Sequence, residues 1–146
     1  MTGILVDTNL LVYAADPAEA FKRERAMALL AALGFAGRGC ISAQSLSEYV
    51  NVVLRRKLLS PAETDQVVTH YAESWRVFDV TSTVVRSALR GVREHRLNIW
   101  DAQIWAVARL NEIETVLSED FQHGIRLEGV LFLNPFVTGF NLDALT

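Results

Sequence analysis

Short runs rich in β-branched residues alternate with helical patterns along the whole chain, and this alternation restricts the fold more than any other property of the sequence. The runs are Gly3-Ile4-Leu5-Val6, Cys40-Ile41-Ser42, Arg76-Val77-Phe78-Asp79-Val80 and Thr115-Val116-Leu117-Ser118, with Val130-Leu131-Phe132-Leu133 as a fifth candidate. The order strand, helix, strand predicts an α/β fold, in which a mostly parallel sheet of four or five strands is covered by helices on both faces. Of the runs, Arg76 to Val80 reads also as a connection. There is no internal repeat, low-complexity segment or long linker, so the chain reads as a single domain over 1–146.

The intervening segments carry helix signals of their own. From Leu46, apolar residues fall at Tyr49, Val50, Val53 and Leu54, the stripe of a helix packed on a core. Ser60-Pro61-Ala62-Glu63 combines a capping box with proline in the first turn, and Val67, Val68, Tyr71 and Trp75 continue that helix. Val84, Val85, Ala88, Leu89 and Val92 repeat the pattern behind Thr81 or Ser82 as cap. A further helix is expected from about Trp100, with Ile104, Val107 and Ala108 inward.

Bulk composition narrows the function classes. Hydrophobic residues make up 51% of the chain, enough to leave apolar surface that self-association or a protein partner would cover. The longest apolar stretch, Ala26 to Gly37, falls short of the roughly 20 residues a membrane helix needs, so no membrane association is expected. The start lacks a basic region and a signal-peptide core, and reads as cytosolic. The single cysteine, Cys40, sits in an apolar run and is expected to be a buried, inert thiol in a reducing compartment. A net charge of -3 gives no global attraction to nucleic acid.

Acidic residues stand where an open parallel sheet binds ligands, beyond the carboxyl ends of its strands. Asp7 ends the first strand, and taken alone it reads as a helix N-cap as readily as a catalytic acid. Asp101 opens a helix, where an acidic residue also complements the helix dipole. Asp120 follows the fourth strand in what is otherwise a polar loop, and Glu48 lies with Ser47, Asn51 and Arg55 on the polar side of its helix. Together the four can reach one end of a doubly wound sheet. Like charges at that density call for a hard divalent cation with oxygen ligands, Mg²⁺ or Mn²⁺. Chemistry that uses such a site without a nucleophilic side chain is phosphate-ester hydrolysis.

Four segments then resemble the motifs of PIN domains in order and spacing: Val6-Asp7-Thr8-Asn9-Leu10-Leu11-Val12-Tyr13, Ser42-Ala43-Gln44-Ser45-Leu46-Ser47-Glu48-Tyr49, Trp100-Asp101-Ala102-Gln103-Ile104 and Leu117-Ser118-Glu119-Asp120-Phe121-Gln122-His123-Gly124. Asn134-Pro135-Phe136 is similar to a closing element of one bacterial branch. The resemblance implies a PIN-like α/β/α sandwich and Mg²⁺- or Mn²⁺-dependent endoribonuclease activity on RNA. It also implies a VapC-type toxin, homodimeric and held by a cognate antitoxin. Carried over by position, Asp7, Glu48, Asp101 and Asp120 form the catalytic quartet, with Asp7, Asp101 and Asp120 as metal ligands and Thr8, Asn9 and Ser118 in support. Glu119 stands beside Asp120 as a competing acid, and Asn98 replaces the serine or threonine frequent in this branch.

Other residues invite roles of lower specificity. His123 could be a general base, although a loop histidine is ordinarily solvated. Trp75, Trp100 and Trp105 could stack on bases, or form core or dimer surface. Arg86, Arg90 and Arg93 share one helix face, and Arg55-Arg56-Lys57 closes another helix, so both could meet the RNA backbone or remain solvated. Three rival functions remain, the first being a PIN-domain nuclease that processes RNA and is not a toxin. A non-catalytic PIN-like interaction module would have lost acidic positions, and all four are occupied. A phosphoacceptor domain would need a second acid two residues after Asp7, where Asn9 stands.

Overall fold

The computed structural model describes residues 2–145; Met1 and Thr146, part of the expected single domain, lie outside the described residues. Its elements are β1 (Ile4–Val6), α1 (Thr8–Ala14), α2 (Ala20–Phe35), β2 (Gly39–Ser42), α3 (Ala43–Arg55), α4 (Pro61–Ser74), β3 (Arg76–Phe78), α5 (Ser82–His95), α6 (Ile99–Leu110), β4 (Thr115–Leu117), β5 (Arg126–Leu127) and β6 (Val130–Leu133), followed by a short 3₁₀ turn, Leu142–Ala144. The strands form one sheet in the order β3-β2-β1-β4-β6-β5, parallel except for β5, which pairs antiparallel with β6.

The expected α/β/α sandwich is therefore observed, with one strand more than the four or five anticipated. The additional strand, β5, has only two residues and no alternation by which the sequence could announce it. Helix α2 is the other addition, and its alanine-rich sequence blurs the contrast between faces.

Side chains alternate along the strands because the strand period is two, and here both faces are buried. Ile4, Val6, Ile41 and Leu117 point into one core with Leu10, Leu29, Leu33, Tyr49, Val53 and Tyr71 from α1, α2, α3 and α4. Leu5, Cys40, Val116 and Phe132 point into the other, against Ala88, Ala102, Ile104 and Trp105 from α5 and α6. Gly91 makes the second core possible: a Cβ there would stand 2.8 Å from the Trp105 ring. Cys40 is buried and free, and burial raises its thiol pKa.

Caps fix where the helices begin. Ser42 Oγ accepts from Ser45 N at 3.1 Å, Ser60 and Glu63 close the expected capping box, and Thr81, not Ser82, accepts from Val84 N at 3.2 Å. Each cap satisfies an N–H that the first helical turn leaves without a partner.

Candidate active site

The strand order reverses between β1 and β4: the chain lays β2 and β3 on one side of β1, then crosses over to place β4 on the other. The carboxyl ends of these two central strands form the switch point at which doubly wound sheets bind ligands. Asp7 leaves β1 there, its backbone N–H donating to Leu117 O of β4 at 2.9 Å. Ser118 leaves β4 beside it.

Asp7 is 5% exposed. One oxygen, Oδ1, accepts from Thr8 N at 2.7 Å, so Asp7 does cap α1. The other, Oδ2, accepts from the Ser118 hydroxyl at 2.7 Å. Ser118 Oγ accepts in turn from Asp120 N at 3.1 Å and from Asn9 Nδ2 at 3.4 Å, so one buried serine joins Asp7, Asn9 and Asp120. Burial raises the Asp7 pKa to about 7; Ser118 and Thr8 oppose the rise, and the charges of Asp120 and Asp101 add to it.

The remaining acids approach from α3 and α6. Glu48 is partly buried, its two oxygens held by Thr8 Oγ1 at 3.1 Å and by Gln44 Nε2 at 2.7 Å. Gln44 Oε1 accepts from Gln103 Nε2 of α6 at 2.8 Å, so an amide relay ties Glu48 to the helix that carries Asp101. Asp101 sits in the first turn of α6, where Asn98 is the cap: Asp101 N donates to Asn98 Oδ1 at 2.9 Å and Asn98 Nδ2 donates to Asp101 Oδ2 at 2.9 Å. Asparagine therefore supplies the cap at this position. Burial and the charges of Asp120 and Glu48 raise the Asp101 pKa, while Asn98 opposes the rise.

Asp7, Glu48, Asp101 and Asp120 are thus brought to one end of the sheet, close enough for their charges to act on one another. Among the described residues no three of them bring ligand oxygens within 4.8 Å of one another; the only trio of histidine and acids that does is Glu94, His95 and Glu128. That trio lies at the opposite rim, in and around the β5–β6 turn. Arg90 donates to Glu128 at 2.7 Å and 3.0 Å, and with His95 it lowers the Glu128 pKa to about 2. With Arg109 also beside it, at 3.4 Å, the trio is an ion-pair network and a poor host for a cation.

Several sequence candidates separate on inspection. Glu119 turns away from the site: Lys22 Nζ lies 2.9 Å from its Oε2, and the Tyr13 hydroxyl donates to its Oε1. His123 is exposed, and its Nδ1 accepts from Asn134 N at 3.0 Å, a loop-fixing contact. Arg90 is engaged by Glu94 and Glu128, whereas Arg86 and Arg93 are exposed. Arg56 pairs with buried Asp16 at 2.6 Å. Trp75 and Trp105 are core residues, 9% and 0% exposed, while Trp100 is 61% exposed. Sequence reasoning missed Gln44 and Gln103, whose contact with each other crosses between α3 and α6 and leaves no local signal.

The donor set at the switch point suits a hard divalent cation. It is all oxygen, and Asn9 Oδ1 is buried there with no hydrogen-bond partner among the described residues. A family model described as the PIN domain matches residues 4–124. No curated protein matches the chain. Among solved structures the chain is similar to the Mycobacterium tuberculosis toxin VapC20, described as cleaving the sarcin-ricin loop, with TM-score 0.66 and 22% identity over 78% of this chain and 87% of that one. It is also similar to a toxin-antitoxin complex from Klebsiella pneumoniae (TM-score 0.67, 18% identity, 92% and 98% covered). DNA-bound VapBC from Salmonella typhimurium is a third (TM-score 0.60, 20% identity, 90% and 97% covered). At these identities the structural likenesses speak for the fold.

Proposed function

Because the chain belongs to the PIN domain family, we propose that it is a divalent-metal-dependent endoribonuclease, acting as the VapC-type toxin of a toxin-antitoxin pair. The observation that carries this reading is the gathering of Asp7, Glu48, Asp101 and Asp120 at the β1/β4 switch point, two of them with pKa values raised partly by their acidic neighbours. Asp7, Asp101 and Asp120 would hold Mg²⁺ or Mn²⁺, with Glu48 alongside. When bound, the cation supplies Lewis acidity and neutralises charge on the phosphate and on the departing oxygen.

The chain's own residues do the positioning. Ser118 and the Thr8 N–H orient the two Asp7 oxygens, Asn98 orients Asp101, and Thr8 with Gln44 fixes both oxygens of Glu48. Water attacks phosphorus, the bond to the ribose 3′-oxygen breaks, and that oxygen leaves as a hydroxyl. The ribose 2′-hydroxyl has no part in this step. Purified, partner-free protein is therefore expected to cut RNA in Mg²⁺ or Mn²⁺, to leave 5′-phosphate and 3′-hydroxyl ends, and to stop in chelator. Cleavage that continues in chelator and leaves a cyclic phosphate would refute the mechanism.

The partner reading has support from an apolar groove of about 640 Å³ on the α1–α4 side, lined by Leu11, Met27, Leu30, Leu58, Val67 and Tyr71 among others. A small antitoxin segment with apolar side chains would suit this surface, and one neighbouring structure is described as a toxin-antitoxin complex. Exposed Val85 and Leu89 on α5 favour a homodimer. No helix of the described residues is long and apolar enough to cross a membrane.

A further inference from the structure

Beside Glu48 opens a second cleft, of about 750 Å³, bounded by α3, α6 and the chain leaving β3. It contrasts with the apolar groove on the other flank. Gln44, Ser47, Glu48 and Asn51 line it from α3, Asp79 from beyond β3, and Trp100 from the first turn of α6. Ser47, Asn51 and Asp79 are exposed, so their donors and acceptors face solvent.

Trp100 is the anomaly of this cleft. Large aromatic side chains are ordinarily well buried, and the other two tryptophans are 9% and 0% exposed, yet Trp100 is 61% exposed. It immediately precedes Asp101, and its backbone carbonyl accepts from Gln44 Nε2 at 3.3 Å. That contact holds the backbone of Trp100 against α3, beside Glu48. The indole thus stands in the cleft wall, on a backbone fixed at the edge of the carboxylate centre.

The chemistry of the lining restricts the occupant. No lysine or arginine lines the cleft, and two carboxylates do, so a phosphate group would be repelled. A flat, neutral group with its own donors and acceptors matches an indole face, the Ser47 hydroxyl, the Asn51 amide and the Asp79 carboxylate. An unstacked nucleobase is such a group, and single-stranded RNA is read by stacking splayed bases on aromatic side chains. A guanidinium would also meet the carboxylates, but having donors and no acceptor it leaves the Ser47 and Asn51 donors unmatched.

We propose that the cleft walled by Trp100, Ser47, Asn51 and Asp79 is a nucleobase subsite, in which one base next to the scissile phosphate stacks on the Trp100 indole. This deepens the ribonuclease reading and rests on it. It makes the substrate a locally unpaired segment, since a base held in a duplex cannot reach the cleft.

The test is equilibrium binding in Ca²⁺, read by fluorescence anisotropy of two labelled probes, hexaadenylate and the corresponding abasic ribose-phosphate hexamer. Wild-type protein is expected to bind hexaadenylate about tenfold or more tightly than the abasic chain. Trp100→Ala should remove that preference and leave abasic binding unchanged, and Trp100→Phe should restore most of it. Equal binding of the two probes by wild type overturns the proposal, as does equal weakening of both by Trp100→Ala. A fall from dimer to monomer in light scattering of Trp100→Ala would assign the indole to contact between copies and also overturns it. So does competition by N-acetylarginine amide at concentrations where adenosine has no effect, which would point to a cationic partner group. Cleavage in Mn²⁺ is followed in parallel. A base preference without cleavage sinks the nuclease and keeps the subsite, whereas cleavage without a base preference does the reverse.

Discussion

Asp7 couples folding to pH through a single proton. Its carboxyl is raised from 3.8 to about 7, chiefly by burial. Between those values the folded chain holds a proton that the unfolded chain has released, so stability without metal falls as pH rises through that window and levels above about 7. Asp101 shifts in the same direction, while Glu128, held near 2, changes its protonation well below the window. In chelator, the melting temperature of wild type is expected to fall between about pH 4 and pH 7. Asp7→Asn should flatten that slope and melt higher than wild type at the upper pH, by the equivalent of a few kcal/mol at most, while losing activity. A wild-type melting temperature that rises across the window would refute the assignment. Mn²⁺ should reverse the order by binding the folded wild type. Ser118→Ala removes one of the two hydrogen bonds that favour the Asp7 anion, so the alkaline-rising limb of kcat/KM should move to higher pH; an unmoved limb would separate Ser118 from the titration. The positions of Asp7, Asp101 and Asp120 were legible because strand ends and helix starts are local features. The preference for Asp120 over Glu119 rested on motif resemblance alone, because Lys22 and Tyr13, which engage Glu119, lie about a hundred residues away.

Helix α6 is where an element's own structure and the site are hardest to separate. Asn98 both caps the helix and holds Asp101, so Asn98→Ala is expected to cost about 1 kcal/mol of stability and to lower activity as well; thermal melts and initial rates read the two effects separately. The relay Gln103, Gln44, Glu48 fixes the spacing between α6 and α3. Gln44→Leu keeps the bulk of the side chain but frees Glu48 Oε1, and it is expected to lower activity by about tenfold or more, mostly in kcat, with little change in melting temperature. A loss confined to KM would show that Gln44 touches substrate and does not position Glu48. Gly91→Ala is expected to be destabilising by about 1–3 kcal/mol from overpacking against Trp105, measurable by urea unfolding. The strands and the capped helices were readable from alternation, stripes and cap residues. Helix α2 was not: Glu19 makes no side-chain cap bond, and the run from Ala26 to Gly37 is apolar on every side, so the helical period has nothing to contrast with. The relay was invisible for a different reason, since glutamines at those positions look like any solvated pair until two helices are placed side by side.

At the scale of the molecule, the acidic end of the sheet and the apolar groove over α1 to α4 are separate surfaces, so partner binding and cleavage should be separable by mutation. Val67→Asp is expected to abolish co-purification of an antitoxin from cells while purified protein still cuts RNA in Mn²⁺; loss of both together, with the fold intact by circular dichroism, would mean that the groove is part of the cleavage site. One further consequence comes from the reversal of strand order at the site. Asp7 and Glu48 belong to the first third of the chain, but Ser118 and Asp120, which complete the centre, arrive only with β4, whose place is in the middle of the sheet between β1 and β6. During synthesis the amino-terminal part can pair β1, β2 and β3 long before the destructive chemistry exists. On the proposed reading, a ribosome making this chain is exposed to the nuclease only after some 120 residues have emerged, by which time the groove over α1 to α4 has already been synthesised. If the groove is the antitoxin's surface, the topology makes the means of restraint before the proposed nuclease centre is complete.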